Sequence, residues 1–204
     1  MVRVQLPPPL RYINPQIHTL KKNTQLRRIF DPTRYGATAI GFRNFGAVSR
    51  FDHHRFVNDV DPDRSVIYAG FTLSCCIAEY FGDGTIINSQ NVKLALIYLA
   101  EEVKLLDLRG EAAMKAGTVA AISGIIDRNI TQKWSKYFYE HPELYGNVDG
   151  LIFSGAHNGE DAIALYERCQ SKIDKSDVEE IELANPSLRR TLIRIASRQG
   201  LIIE

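Results

Sequence analysis

Cysteine is scarce in this sequence: its 204 residues include three, Cys75, Cys76 and Cys169. An odd number with two adjacent members excludes a disulfide framework and does not fit zinc-ligand spacing. The three read as small buried apolar groups in a reducing compartment. Excess charge is lacking too. Lys and Arg total 25 against 24 Asp and Glu, so nothing draws the whole chain towards nucleic acid or an acidic membrane surface. Any role for arginine is therefore local. No apolar run is long enough to span a membrane. The N-terminus runs into three prolines at 7–9 instead of an apolar signal core. These absences predict a cytoplasmic protein that does not engage a membrane. Internal repeats and low-complexity tracts are missing. So are GxGxxG, a Walker lysine, HExxH and GxSxG, which argues against a standard phosphate loop, a zinc protease and a serine hydrolase.

What is present suits a folded domain of ordinary size, with 45% hydrophobic and 24% charged residues. The central stretch is residues 65–81, SVIYAGFTLSCCIAEYF. Its β-prone start ends in Tyr68, and Ala69-Gly70 offers a turn. Thr72 stands where a helix N-cap belongs. Leu73, Cys76, Ile77 and Tyr80 then fall on one helical face, with Glu79 at its flank. A carboxylate at that margin can face a cleft walled by the preceding strand. An isolated pair of this kind is otherwise a solvated glutamate and a core tyrosine.

Residues 26–30, LRRIF, predict a short strand in which Arg28 precedes an apolar pair and is partly buried. Residues 35–47 carry three glycines in a small-residue loop that lets backbone approach a ligand. Arg50 follows that loop. Its planar fork matches a phosphate oxyanion, so Arg28 and Arg50 form a candidate pyrophosphate clamp, with ordinary ion pairing as the alternative. Asp52, His53 and His54 invite a metal reading and hence a metal-dependent hydrolase. Adjacent histidines on a strand point to opposite faces, and no closed ligand set accompanies them. Residues 91–108 predict a strand over 103–108, with the first part open between strand and helix. Residues 111–129 read as helix weakened by Gly117 and Gly124, and residues 131–139 as an aromatic helix carrying the only tryptophan. Residues 148–154 read as a strand ending in Ser154, residues 161–168 as a strand or short helix, and 188–195 as an amphipathic segment.

In order and spacing these pieces resemble the RES domain family, named for an arginine, a glutamate and a serine. The resemblance rests on RRIF at 27–30, GFRNFGAVSRF at 41–51, VIYAG at 66–70, CIAEYF at 76–81, LLDL at 105–108 and VDGLIFSG at 148–155. Many members carry GGRWN where this chain has VSRFDHH. The resemblance implies an α+β fold, a mixed β-sheet core with flanking helices similar to ADP-ribosyltransferase toxins. The resemblance spans residues 26–170 and implies an NAD-binding domain there; residues 1–25 read as a lead-in and 171–204 as a C-terminal extension packed on the domain or on a partner, with no family counterpart. The implied activity is that of a toxin that cleaves NAD+ at the nicotinamide–ribose bond, by hydrolysis, phosphorolysis or ADP-ribosyl transfer. NAD+ would be a substrate, no metal would be needed, and the acceptor would be water, phosphate, a nucleotide or a protein. Growth inhibition would be relieved by an Xre-like antitoxin, with the toxin a homodimer within the complex. The implied catalytic residues are Glu79, Arg50 and Ser154, and the implied NAD+ contacts are Arg28, Arg50, Tyr68 and Ser154. A RES-like module that binds a nucleotide or a protein without catalysis is the alternative.

Overall fold

A computed structural model describes residues 3–204 of the chain. Strand β1 (Ile17–Leu20) lies at one edge of an eight-stranded sheet, and β2 (Gln25–Phe30) lies deep within it. A small hairpin, β3 (Phe45–Gly46) with β4 (Asp59–Val60), stands apart from that sheet. Strand β5 (Val66–Gly70) runs directly into helix α1 (Leu73–Phe81). After β6 (Ile86–Ile87) come β7 (Lys93–Tyr98) and β8 (Val103–Asp107). Helices α2 (Gly110–Lys115), α3 (Arg128–Glu140) and α4 (Pro142–Tyr145) lead to β9 (Gly150–Ser154) and β10 (Asp161–Tyr166). The chain closes with α5 (Gln170–Ile173), β11 (Asp177–Glu182), α6 (Pro186–Gln199) and β12 (Ile202–Ile203).

The strand order is β1-β8-β9-β10-β5-β2-β7-β11. Every pair in this sheet is antiparallel except β8 with β9. The fold is therefore the expected α+β class, a mixed sheet with flanking helices. One seam in the sheet matters for function. Strand β2 pairs with β7 along its whole length, yet it meets β5 only where Arg27 faces Gly70. Beyond that point the two strands diverge. Alternation along a strand sends successive side chains to opposite faces. Leu151 and Phe153 thus join a core with Trp134 and Phe138 of α3, while Ile152 joins the core of the opposite face. A third apolar cluster places Ile77 and Phe81 of α1 against Ile29, Leu94 and, from α6, Leu192 and Ile195. The divergent seam opens between the first and third clusters.

Local sequence explains why α1 sits over the seam. The Thr72 hydroxyl accepts from the Cys75 backbone N–H at 2.9 Å, capping the helix. A Cβ on Gly70 would stand 2.9 Å from Cys75 Sγ, so only glycine allows the strand to turn this tightly into the helix. Glu160 binds the same helix start, accepting from the hydroxyls of Thr72 and Ser74. Gln199 Nε2, at the end of α6, donates to Ser74 Oγ at 2.9 Å and to the Ser74 carbonyl at 3.0 Å.

Several segments differ from the sequence reading. Residues 111–129 do not form one helix: α2 stops at Lys115, Gly117 takes a φ of +92°, and a 3₁₀ turn spans Ala120–Ser123. The glycines override the alanine-rich propensity on either side. The open choices at 93–98 and 161–166 resolve as strands β7 and β10, each paired on both sides. His53 and His54 lie in a buried loop, not on a strand. At the chain's two ends, Trp134 Nε1 donates to the Gln5 carbonyl at 2.6 Å, β1 pairs with β8, and β11 pairs with β7.

Candidate active site

The seam opens into a pocket of about 270 Å³ walled by β5, β2, α1, the loop at 49–50 and the start of α3. That volume lies just below the roughly 300–1,000 Å³ typical of pockets enclosing drug-sized ligands. Four arginines line it: Arg27, Arg28, Arg50 and Arg128. Each anchors one Nη1 on a backbone carbonyl. Arg27 donates to Phe71 and Arg50 to Ile125, while Arg28 donates to Gly41 at 2.9 Å and Arg128 to Val48 at 2.9 Å. Among the described residues, no carboxylate oxygen comes within 4.0 Å of any of these four guanidiniums. Elsewhere Arg43, Arg55, Arg64 and Arg109 each sit on a carboxylate. Burial, reinforced by the nearby Arg43 charge, pushes the Arg28 guanidinium down to about 10. Burial also lowers Arg50, with the Glu79 charge opposing it. Arg27, Arg28 and Arg50 are half-buried and Arg128 is exposed, and a partly desolvated cation without a counter-ion carries a cost. An anionic ligand would relieve that cost.

The loop carrying Arg50 is held from beneath by Asp52, which is fully buried. Asp52 Oδ2 accepts from the backbone N–H of Val48 at 2.7 Å and Ser49 at 2.8 Å. Arg43 Nη2 reaches both carboxylate oxygens, at 2.9 and 2.8 Å. The Tyr68 hydroxyl donates to Asp52 Oδ1 at 2.9 Å and accepts from Phe51 N–H at 2.9 Å. Burial first, and then the Asp52 charge, raise the Tyr68 phenol well above its ordinary value, so it stays neutral. Tyr68 thereby presents its ring to the pocket with its polar end already satisfied.

Facing the arginines is Glu79. Its Oε1 lies 3.4 Å from His157 Nδ1, and His157 Nε2 lies 3.1 Å from Asp83 Oδ1. Burial works to lower the imidazole, but the Asp83 hydrogen bond and the Glu79 charge outweigh it and hold His157 above its ordinary value. His157 in turn holds Asp83 below the usual carboxylate range. A basic rim facing Glu79, whose neighbour Asp83 is paired with His157, suits an anionic substrate in which positive charge develops during reaction.

A protein-family model described as the RES domain matches residues 25–186. The chain belongs to the RES domain family. No curated protein matches the sequence. Among solved structures, the chain is similar to one described as the M. tuberculosis MbcT-MbcA toxin-antitoxin complex. That similarity has a TM-score of 0.59 and 14% identity, covering 85% of this chain and 91% of that one. It is a likeness of fold.

Of the RES-pattern residues, the structure brings Arg28, Arg50, Tyr68 and Glu79 to one pocket. Ser154 is placed differently. It ends β9, half-buried and opposite Asp161, and the pocket wall there is its neighbour Phe153. Strand alternation sends the two side chains to opposite faces. Sequence reasoning missed Arg27, Asp83, Arg128 and His157. Arg27 carried no signal, because strand alternation sets it and Arg28 on opposite faces of β2, yet both line the pocket. His157 carried a weak one, standing in a polar run just after a strand end. Asp83 follows α1 by two residues, and nothing in the sequence connects Arg128 to Arg50.

The three cysteines are buried free thiols. Burial pushes Cys76 up to about 12 and raises Cys75 and Cys169 as well, so none is a ready nucleophile. His53 Nε2 bonds Glu167 Oε2 at 2.8 Å and His54 Nε2 bonds the Arg43 carbonyl at 3.1 Å. These histidines serve the loop beneath the pocket.

Gly155 sets the floor under Glu79. A Cβ there would stand 2.7 Å from Glu79 Oε1 and 3.1 Å from the Glu160 carbonyl. Gly155→Ala is therefore expected to displace the Glu79 carboxylate and to lower any turnover that depends on it about 10-fold or more, since a misplacement near 1 Å can cost 10²-fold. The melting temperature should stay close to wild type. Steady-state kinetics beside a thermal melt check both parts.

Proposed function

We propose that this chain is the toxin of a toxin–antitoxin pair and that it breaks the nicotinamide–ribose bond of NAD+. The observation that carries this reading is the set of four pocket guanidiniums, unpaired with acid, in a pocket that also holds Glu79, with Asp83 and His157 beside it. A pyrophosphate carries two negative charges and matches guanidinium forks. Arg28 and Arg50 grip it, with Arg27 and Arg128 close by. Tyr68 packs on the nicotinamide or the ribose edge. As the glycosidic bond lengthens, positive charge builds on the ribose, as it does in glycoside hydrolysis. Glu79 stabilises that charge. Nicotinamide departs as a neutral ring with the bonding electrons, so no general acid is required. An acceptor then attacks C1′ and, if it is water, loses a proton to give ADP-ribose.

Membership in the RES family supports the toxin reading, and the similar fold comes from a structure described as a toxin–antitoxin complex. The same reading includes an Xre-like antitoxin that covers the pocket, a homodimer within that complex, and cytoplasmic action. Among the described residues, no helix is long and apolar enough to cross a membrane.

The clamp is tested at Arg50. Lysine keeps the charge but cannot hold the Ile125 carbonyl and also present a fork to phosphate. Losing charge-assisted hydrogen bonds worth about 1.5–3 kcal/mol corresponds to a roughly 10- to 100-fold weaker NAD+ affinity. Calorimetric titration of Arg50→Lys with NAD+ measures it. A dissociation constant within twofold of wild type would remove Arg50 from the clamp.

A further inference from the structure

We propose that His157 is a positioning residue for Glu79: it holds Glu79 Oε1 against the loop after β9, uses Asp83 as its own counter-ion, and leaves Oε2 to face the reacting ribose. This inference rests on the NAD+ reading for the reaction, and on the structure alone for the clamp.

The geometry is specific. Both ring nitrogens of His157 are engaged by carboxylates from α1 and the turn that follows it, Glu79 Oε1 at 3.4 Å and Asp83 Oδ1 at 3.1 Å. Among the described residues, Glu79 has no other hydrogen-bond partner, so Oε2 is free. Two glycines make room for the contact. A Cβ on Gly82 would collide with the His157 ring, and one on Gly155 would press on Glu79 Oε1. Helix α1 ends at Gly82, so Asp83 approaches the imidazole from the turn that follows.

A carboxylate with one oxygen held is a better electrostatic stabiliser than one free to rotate, because its orientation is set before reaction. Both ring nitrogens must carry protons to serve both carboxylates, so the clamp requires the imidazolium. The charged groups facing this cluster are Glu79 and Asp83 from α1 and its following turn, with Arg50 from its loop and Arg128 from α3 acting on Asp83. Glu160, in the same loop as His157, is turned away onto Thr72, Ser74 and Asn158. The two carboxylates favour the protonated ring and oppose its burial, as described above.

Two readouts test the inference. The first needs no activity. In protein with isotope-labelled histidine, the His157 resonance, assigned by its absence in His157→Gln, is followed through a pH titration by NMR. The midpoint is expected to fall in both Asp83→Asn and Glu79→Gln, by roughly half a pH unit or more, because removing an opposite charge disfavours the cation. Midpoints unchanged in both variants would overturn the clamp. The second readout is nicotinamide release. His157→Ala is expected to lower kcat about 10-fold with KM for NAD+ within about twofold, the pattern of a lost transition-state interaction. His157→Gln should recover part of the loss, because its amide can donate to Glu79 Oε1. In Asp83→Asn the alkaline limb of the kcat profile should move to lower pH. An unaltered kcat and pH profile in His157→Ala, beside an active wild type, would overturn the positioning role. A wild type that releases no nicotinamide would instead refute the NAD+ reading, and the NMR midpoints would still decide whether the clamp exists.

Discussion

Replacing Glu79 with glutamine is expected to lower nicotinamide release at least 100-fold while NAD+ binding changes by no more than a few-fold. Glutamine has nearly the shape of glutamate, and its carbonyl oxygen can still accept from His157 Nδ1. The floor at Gly155 sees the same volume. The substitution therefore isolates charge. On the proposed reaction, the positive charge of NAD+ lies on the nicotinamide ring in the ground state and moves to the ribose as the bond breaks. In the transition state, positive charge spreads over the ribose ring, and the carboxylate acts on it at close range. One well-aimed group of this kind is worth about 3–4 kcal/mol, and each 1.36 kcal/mol is tenfold in rate. The loss should thus fall on kcat, with the pyrophosphate still held by the arginines opposite. Rapid-quench or continuous measurement of nicotinamide, with NAD+ affinity measured separately by calorimetry, separates the two effects. An equal loss in affinity would make Glu79 a binding residue, and full activity would remove it from the mechanism.

The second large effect is on stability. Asp52→Ala is expected to destabilise the protein by about 3–5 kcal/mol, as breaking a buried charged pair commonly does. Asp52 is fully buried and accepts from Val48 N–H, Ser49 N–H, the Tyr68 hydroxyl and Arg43. Arg43 is 31% exposed and regains water when its partner is lost. The two backbone N–H groups and the tyrosine hydroxyl lose their acceptor as well, and a buried donor left unsatisfied costs about 1–3 kcal/mol. For a domain of this size the melting temperature should drop on the order of 10 °C. Because the same carboxylate ties the Arg50 loop to Tyr68, activity should fall with stability. Thermal denaturation of Asp52→Ala beside Tyr68→Phe gives the comparison. Phenylalanine removes one donor to Asp52 and the acceptor of the Phe51 N–H but leaves the Asp52 turn intact, so its effect should be smaller.

How far the sequence reveals this site depends on distance along the chain. The strand, turn and helix at 66–81 are legible because the apolar period changes from two to helical spacing across Thr72, a capping residue. Glu79 is legible as the polar residue at that helix's margin, and Tyr68 as the strand's aromatic. Arg28 and Arg50 are legible through the family pattern. Arg128 is not, because the start of α3 reaches the pocket only by tertiary packing of an aromatic helix against the sheet. The partner-free state of the pocket arginines is also invisible in sequence. An arginine on a carbonyl and an arginine on a carboxylate have the same local signature. Asp52 shows the converse: beside two histidines it invites a metal reading that no closed ligand set supports, and nothing local shows that the fold uses it as the buried anchor of a loop. Residues 111–129 mislead for a simpler reason. Alanine favours helix wherever it stands, but Gly117 at positive φ ends α2 before the run is complete.

The most direct test of the account is nicotinamide release from NAD+ by the purified wild-type chain, in buffer with and without inorganic phosphate and with added protein acceptors. Nicotinamide is expected in multiple turnovers in at least one of these conditions. The sugar product identifies the acceptor: free ADP-ribose for water, a phosphorylated ADP-ribose for phosphate, an ADP-ribosylated protein for transfer. NAD+ that remains intact in every condition, whether or not it binds, would contradict the NAD+ reading.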